Sequence, residues 1–414
     1  MKQAVVIGAG GVGLGFIAPE LHHEYHITYV DVDASAEMIH MIQSGKPFSI
    51  NIAGPSVQVV AISGAKALNS DIPAERKKAV RTIASADLLF TATGAKFLAS
   101  IAPLIRNGIL EAKKRKRKAP LPICCCENGK EIAATLRRFV FEGLRRRDFP
   151  FVRFSDTVIA RMCQVEDLEE SRRSLRACGH DAVADQLRPL AEGMKRAVVV
   201  EPYFGIVIEA QAVRGADIPL DMLRVATAKE FKALDDQKTF VHNGGHGLIS
   251  YLGHLRGYRQ FHEVREDREI YEIARAAMVD EVGAALVAEY APILTRHVVR
   301  NHAHDLLRRM TCPYFNDSIE RGVRGSLAKL GPHERFIGGA RLCARHGIAP
   351  TNLAHGIAAG LAINAADPAV KGKKLDDILR DVCTLDPKKE RAICECVRKA
   401  LEGDAVGARK HGRR

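Results

Sequence analysis

The chain contains no tryptophan, and aromatic residues make up only 6% of its 414 positions. Its basic segments are not interleaved with the rings on which bases stack, which argues against a single-strand nucleic-acid binder. Apolar runs are short, and none is long enough to cross a bilayer. No paired Cys-x-x-Cys knuckles and no His-Glu-x-x-His helix occur, so no metal site is expected. The chain passes from Met1-Lys2-Gln3 directly into a strand, without the charged, apolar and cleavage regions of a secretory leader. A cytoplasmic protein with reduced thiols is the resulting expectation. Three of its ten cysteines, Cys124, Cys125 and Cys126, are consecutive. Neighbours on a strand face opposite ways, so this run is no disulfide ladder. The Cys394-x-Cys396 pair, with Cys383 upstream, reads better as buried apolar thiols than as a zinc set. No repeat of solenoid period is present.

What is present is ordinary for a globular protein of two or three domains: 47% hydrophobic and 27% charged residues. The net charge is +13. Much of the excess sits in the run KKRKRK at 113–118 and in the tail at 409–414. Such a balance suits anionic small molecules as well as nucleic acid, and a basic run at a helix end is commonly a solvated surface.

The most readable segment is the first. Residues 3–7 form an apolar strand, followed by GAGGVG with Gly8, Gly10 and Gly13 in the G-x-G-x-x-G positions. A helix start and a second strand, HITYV, then lead to Asp31. In such a unit the first glycine permits the turn and the second admits a pyrophosphate. The third lets helix and strand pack closely. A carboxylate at the end of the second strand accepts from ribose hydroxyls and repels a 2′-phosphate, which favours NAD over NADP. Strand, glycine turn, helix, strand and acid in this order are much more specific than the glycines alone.

Further strands are read at 57–62, 87–91 and 122–126, with helices at 73–85, 95–114 and 129–147 between them. The alternation predicts a parallel sheet, which segments 151–163 and 196–213 extend. Ligands in such sheets bind beyond the C-terminal strand ends, where Thr93, Gly94, Glu127 and Asn128 stand. Asn128-Gly129 is equally good turn chemistry. From 219 onward, proline-punctuated helical stretches dominate. They are read at 219–235, 238–255, 267–290, 292–310, 316–330, 333–346, 352–366, 374–383 and 387–402. The expected architecture is thus α/β: a Rossmann-type dinucleotide-binding domain with an extended sheet (1–218), then a mostly α-helical substrate domain (219–414).

KTFVHNGGHG brings Lys238, Asn243 and His246 together. On an ideal helix Lys238 and His246 lie about 80° apart, with Asn243 about 60° beyond. Lysine, amide and imidazole on one arc suit carbonyl–alcohol chemistry. A solvated face with a satisfied histidine has the same spacing. Gly244-Gly245 lets a ligand or another chain segment approach.

The Lys238, Asn243 and His246 spacing, read on as GLISYLG, resembles the signature of the polyol-specific long-chain dehydrogenases. GAGGVGLGFIAPEL is similar to that family's glycine loop, and CCENG at 125–129 to its Cys-Glu-Asn motif. EPYFGIVIE at 201–209 resembles its Glu-Pro strand. RRMTCPYFNDSIERGVRGSLAKL, from Arg308, resembles its Arg-Phe-x-Asn-Pro…Asp…Arg segment. The resemblance implies metal-independent hydride transfer between NAD and a polyol. Lys238 would be the general base for oxidation and the acid for reduction. Asn243, His246 and Asn128 would hydrogen-bond the reacting oxygen. Burial beside a charged nicotinamide would lower a lysine pKa toward working pH, and the amide and imidazole would stabilise oxyanion charge.

The chain's length is nearer the family's short, phosphate-using branch. The expectation is therefore conversion of D-mannitol 1-phosphate and NAD to D-fructose 6-phosphate and NADH, by a monomer or small homo-oligomer. Arg309, Arg321, Arg324 and Arg335 are candidate phosphate ligands, because guanidinium forks match phosphate oxygens. Gly205 stands where many relatives carry Trp, and Met310 and Cys312 where Phe and Asn are usual. Two alternatives stay open. One is a sister enzyme acting on free mannitol, arabinitol, mannonate or altronate. The other is a non-catalytic NAD-binding protein whose basic run holds nucleic acid.

Overall fold

The computed structural model describes residues 1–203, 205–218 and 223–403. The basic tail at 409–414 and Pro219 lie outside them. The chain divides into two compact units, Met1–Phe231 and Lys232–Arg414. The division falls later than the expected 218/219. Leu223–Ala226, expected to be helical, is a strand paired with Ile206–Glu209 in the sheet of the first unit.

Twelve strands are described in the first unit. They are β1 (Lys2–Ile7), β2 (Tyr25–Asp31), β3 (Phe48–Ala53), β4 (Val57–Ile62), β5 (Lys66–Asn69) and β6 (Leu88–Thr91). After them come β7 (Leu121–Cys125), β8 (Val152–Val158), β9 (Cys163–Asp167), β10 (Arg196–Val200), β11 (Ile206–Glu209) and β12 (Leu223–Ala226). The main sheet runs β12-β11-β8-β7-β6-β1-β2-β5. From β5 to β8 all pairs are parallel, and their chain order reads 3-2-1-4-5-6, the Rossmann arrangement. β11 turns antiparallel to β8 and extends the edge.

The strand expected at 57–62 forms, but not in this sheet. β4 pairs antiparallel with β3 in a second sheet of order β4-β3-β10-β9. The segments at 151–163 and 196–213 are likewise shared out, β8 and β11 to the main sheet, β9 and β10 to the second. Side-chain alternation explains the layering. Val5, Ile7, Leu89, Ile123 and Cys125 face a core with helices Pro73–Ser85, Leu98–Lys114 and Ile132–Val140. Ala4, Val6, Phe90, Cys124 and Cys126 face the opposite core, shared with Phe48, Ile50 and Val198 of the second sheet. The cysteine run is thus split by strand period between two cores, and all ten cysteines are free.

The second unit is helical among its described residues. Its central helix, Asn243–Leu255, buries residues on nearly every side, as a helix surrounded by others must. It packs against Arg268–Ala276, Ile319–Val323 and Leu353–Ile363. Three expectations need correction here. The helix expected at 316–330 stops at Val323, where Gly325 takes φ +67°. The one expected at 267–290 contains a π turn, Ala277–Glu281. The one at 238–255 opens with another, Lys238–His242. No helix among the described residues is long and apolar enough to cross a membrane.

Candidate active site

In the first unit the glycine turn lies where β1 ends between β2 and β6. Gly8 has φ +111°, and a Cβ there would stand 2.6 Å from the Ala92 carbonyl oxygen. At Gly13 a Cβ would come within 2.1 Å of the Gly8 oxygen. At Gly10 it would meet nothing within 4 Å, so this position faces open space. That space is a cavity of about 590 Å³, lined by Gly8, Gly10, Asp31, Thr93, Asp71 and Arg76 among others. Asp31 anchors the loop: Oδ2 accepts from the Ala9 N–H at 2.7 Å and Oδ1 from the Val32 N–H at 2.9 Å. Two further acids, not foreseen, reinforce this wall. Asp71 accepts from the Asp33 N–H at 2.9 Å, and Asp33 accepts from Asn69 Nδ2 at 2.5 Å. An open glycine for a pyrophosphate and carboxylates at the end of β2 fit a dinucleotide with unphosphorylated ribose.

Gly13, Gly94 and Glu127 are not among the lining residues. Gly13 acts through close packing. Gly94, at φ +94°, turns the chain into the helix that follows β6. Glu127 is buried and accepts from the Thr91 hydroxyl at 2.7 Å and the Thr93 N–H at 3.1 Å, tying the ends of β6 and β7 together. Burial raises its pKa, against these hydrogen bonds. Asn128, the next residue, is exposed.

In the second unit Lys238 begins the π turn and Asn243 follows it, with the Asn243 N–H donating to the Lys238 carbonyl five residues back. The turn replaces the ideal-helix angles expected for the set, because i→i+5 bonding holds one extra residue. Gly245 is explained by packing, since a Cβ there would sit 2.4 Å from Met278 Sδ. This is the approach of another chain segment. Arg335 reaches the Asn243 carbonyl oxygen at 3.4 Å.

His246 Nε2 lies 3.0 Å from Asp317 Oδ2, across seventy-one residues of sequence. Arg321 forks onto the same carboxylate at 2.7 and 2.6 Å. Burial would raise the Asp317 pKa, but the hydrogen bonds from His246 and Arg321 bring it down to about 2. Burial lowers the His246 pKa, with Arg321 and Arg335 adding to the effect against the pull of Asp317. The ring is therefore neutral near pH 7. An ionised Asp317 accepts only, so Nε2 must carry the proton and Nδ1 is left as an acceptor. Sequence reasoning missed Asp317 as a site residue. Its one signal was its place in the Asp…Arg segment.

Lys329 was missed as well. Burial, and then Arg335, Arg321 and Arg324, lower its pKa to about 8. Its Nζ donates to the Gly322 carbonyl at 2.9 Å. Arg321, Arg324 and Arg335 are thus gathered around this lysine. Arg309 groups elsewhere: it is buried, bonds Asp305 at 2.8 Å and bears electrostatically on His242 and His302. Met310 is buried, and Gly205 takes φ +105°, a conformation that side chains rarely adopt.

The basic run at 113–118 ends helix Leu98–Lys114, where cations suit the carbonyl-rich terminus. Arg117 turns inward and donates to the carbonyls of Ala119, Pro120 and Ala84 at 2.8, 2.7 and 3.1 Å. Part of the run is therefore a structural clasp. Among the described residues no group of His, Cys, Asp or Glu is arranged to hold a metal ion.

A Rossmann-ordered sheet with a glycine-lined cavity and an acid at the end of β2 is the architecture of a dinucleotide-binding protein. The chain matches the Mannitol dehydrogenase Rossmann domain over residues 2–222 and the Mannitol dehydrogenase C-terminal domain over residues 230–398, and it belongs to that family. It is 28% identical over 373 residues to a mannitol-1-phosphate 5-dehydrogenase of Caldanaerobacter subterraneus subsp. tengcongensis, covering 89% of this chain and 88% of that one. It is 30% identical over 358 residues to the protein of that name from Geobacillus stearothermophilus, covering 86% of each. Among solved structures, Pseudomonas fluorescens mannitol 2-dehydrogenase, in ternary complex with NAD and D-mannitol, shares the fold. Its TM-score is 0.70 at 14% identity, over 98% of this chain and 92% of that one. A D-sorbitol dehydrogenase gives a TM-score of 0.72 at 14% identity, covering 98% of this chain and 94% of the other.

Proposed function

We propose that the protein is an NAD-dependent dehydrogenase interconverting D-mannitol 1-phosphate and D-fructose 6-phosphate. The observation that carries the reading is the Lys238, Asn243 and His246 set at a π turn, a device frequent at functional sites. Relatives bearing the mannitol-1-phosphate 5-dehydrogenase name over most of the chain support the substrate. NAD, when bound, supplies the hydride acceptor. Lys238, as the free amine, takes the hydroxyl proton as the carbonyl forms, and returns it in reduction. The Asn243 side-chain amide steadies charge on that oxygen. The His246 Nε2–H bonds to Asp317, which leaves Nδ1 to accept a hydrogen bond from a substrate hydroxyl. Lys329 with Arg324 and Arg335 is assigned to the phosphate.

Purified protein should form NADH from NAD and mannitol 1-phosphate, followed by absorbance. Activity confined to free mannitol, arabinitol or a hexonate would place it with a sister enzyme. Lys238→Ala should lower kcat by about 10²- to 10⁴-fold while NADH binding is retained. Near-normal turnover in that variant refutes the mechanism.

A further inference from the structure

The basic run at 113–118 has no part in hydride transfer, and the clasp accounts for Arg117 alone. Helix Leu98–Lys114 ends in a reverse turn. The Arg117 N–H bonds the Ala112 carbonyl at 3.1 Å and the Lys116 N–H the Lys113 carbonyl at 2.9 Å, with Lys116 at φ +56°. This capping pattern turns the chain away from its helix axis. The exposed Lys113, Lys114, Lys116 and Lys118 are therefore held around a bend, not along a linear peptide. A second basic segment lies beside the bend. Asp148 is 4.0 Å from Lys113 Nζ and 3.6 Å from Arg145 Nε, and Lys113 Nζ stands 4.6 Å from the centre of the Phe149 ring. Arg145, Arg146 and Arg147 are exposed. The acids of the two segments are already engaged: Asp148 as above, Glu111 with Arg115 at 2.9 Å, and Glu142 with Arg106 at 3.5 Å. Cations at a helix C-terminus stabilise it, but that effect fades within the last turn and does not reach the arginines. Like charges held side by side work against the folded state, so stability does not explain the crowding.

Both segments lead into the N-terminal ends of parallel strands, β7 and β8, whereas the glycine-lined cavity lies beyond the C-terminal ends of β1 and β6. The basic face is thus on the opposite rim of the sheet from the nucleotide site. Its composition selects the partner. Segments 112–118 and 142–148 contain no Ser, Thr, Asn, Gln or Tyr. Such a face meets phosphates but does not read base edges, nor the 2′-hydroxyls on which recognition of duplex RNA leans. Phe149 is buried, so it offers no ring to an unpaired base. The exposed large apolar residues, Met1, Val32, Val59, Ile72, Phe97 and Val298, all lie elsewhere, and stable membrane anchoring needs a second signal besides a basic patch. Ammonium and guanidinium groups on a fixed surface suit the phosphates of B-form DNA, which carries one charge per ~1.7 Å of axis.

We propose that this face binds double-stranded DNA without regard to sequence, its phosphates met by Lys114, Lys116, Lys118, Arg145, Arg146 and Arg147. The role is additional to the dehydrogenase and separable from it, because none of these residues lines the nucleotide cavity or belongs to the Lys238 set.

Fluorescence anisotropy of the full chain with a labelled DNA duplex of about 30 base pairs tests this. With about six phosphate contacts, log K should fall with log salt at a slope of about −5, an affinity loss of about 10³ between 50 and 200 mM. The combined variant Lys114→Gln, Arg146→Gln and Arg147→Gln should bring the slope to about −3 and weaken binding at 50 mM by about tenfold or more. Its melting temperature and its turnover of mannitol 1-phosphate should match the wild type. Lys114→Arg with Arg146→Lys and Arg147→Lys, which keeps the charge, should keep the slope. The basic tail at 409–414 is left intact in every protein compared, so a loss belongs to this face. Absence of DNA binding at 50 mM salt, or an unchanged slope in the neutralised variant, overturns the proposal. So does tighter binding to the corresponding RNA duplex, or capture by phosphatidylserine–phosphatidylcholine vesicles in place of DNA. Each of these results leaves the dehydrogenase reading standing, which the NADH assay decides separately.

Discussion

Asp317 is the residue on which the second unit's site leans most heavily, and Asp317→Asn measures how much. The carboxylate is 1% exposed and accepts from His246 at 3.0 Å and from Arg321 at 2.7 and 2.6 Å. Asparagine keeps the shape but offers one acceptor oxygen and no charge. Breaking a buried pair costs about 3–5 kcal/mol, and the Arg321 side chain, 44% exposed, regains some hydration, which favours the lower end. A second route gives a similar figure. A carboxyl held at about 2, roughly two units below its unfolded value, contributes about 2.6 kcal/mol. The sign follows from proton counts. Below the unfolded pKa of about 3.9 the unfolded chain binds the proton more readily, so this stability is complete above that pH and lost as pH falls through about 2. Urea unfolding of the wild type and the variant between pH 7 and pH 3 should show a gap of about 2–3 kcal/mol, constant to pH ~4 and roughly halved by pH 3. The new amide can donate to Nε2 and reverse the tautomer of His246, so kcat/KM should fall while NADH affinity stays. A gap under about 1 kcal/mol, or one that ignores pH, refutes the reasoning.

Two further outcomes follow from the geometry. Gly10→Ala should leave the melting temperature unchanged but weaken NADH binding, because its methyl enters open space in the cavity. Gly13→Ala should lower both, with a stability loss of about 1–3 kcal/mol from forcing a Cβ toward the Gly8 oxygen; fluorescence titration and thermal melts separate the two. The unfolded chain protonates the imidazole of His302 near pH 6.5, while burial holds the folded group to about 4. Stability should therefore fall as pH drops through this window, by up to about 3 kcal/mol from this group. Urea midpoints should fall less steeply between pH 6.5 and 5 in His302→Gln.

The glycine unit was legible because every constraint on it is local: turn, close packing and acid lie within one βαβ segment. Helix Pro73–Ser85 was legible for the same reason, with proline opening an amphipathic run. The second sheet was not. Strand β4 was read correctly, but its partner β3 and its place outside the main sheet depend on β10, far away in sequence. Nor could helix propensity reveal β12, a four-residue strand that exists through its pairing with β11. In the site, Lys238, Asn243 and His246 were visible as a spacing. Asp317, which selects the tautomer of His246, belongs to another helix start, and no local rule links the two.

The π turn shows this limit most clearly, and it has a consequence of its own. Nothing in KTFVH distinguishes it from an α-helical stretch. It is held by tertiary packing, with Thr239, Phe240, Val241 and His242 all buried. If its task is to aim Lys238, removing the extra residue should disarm the site without unwinding the helix. Deleting Thr239 restores four-residue spacing and rotates Lys238 by about 100° relative to Asn243 and His246. Misplacement by an ångström can cost about a hundredfold in rate, so turnover should fall at least that far. Helical circular dichroism should be retained, and Thr239→Ala, which keeps the count, should stay active. A deletion variant within about tenfold of wild-type kcat would show that the turn serves packing and not the direction of the lysine.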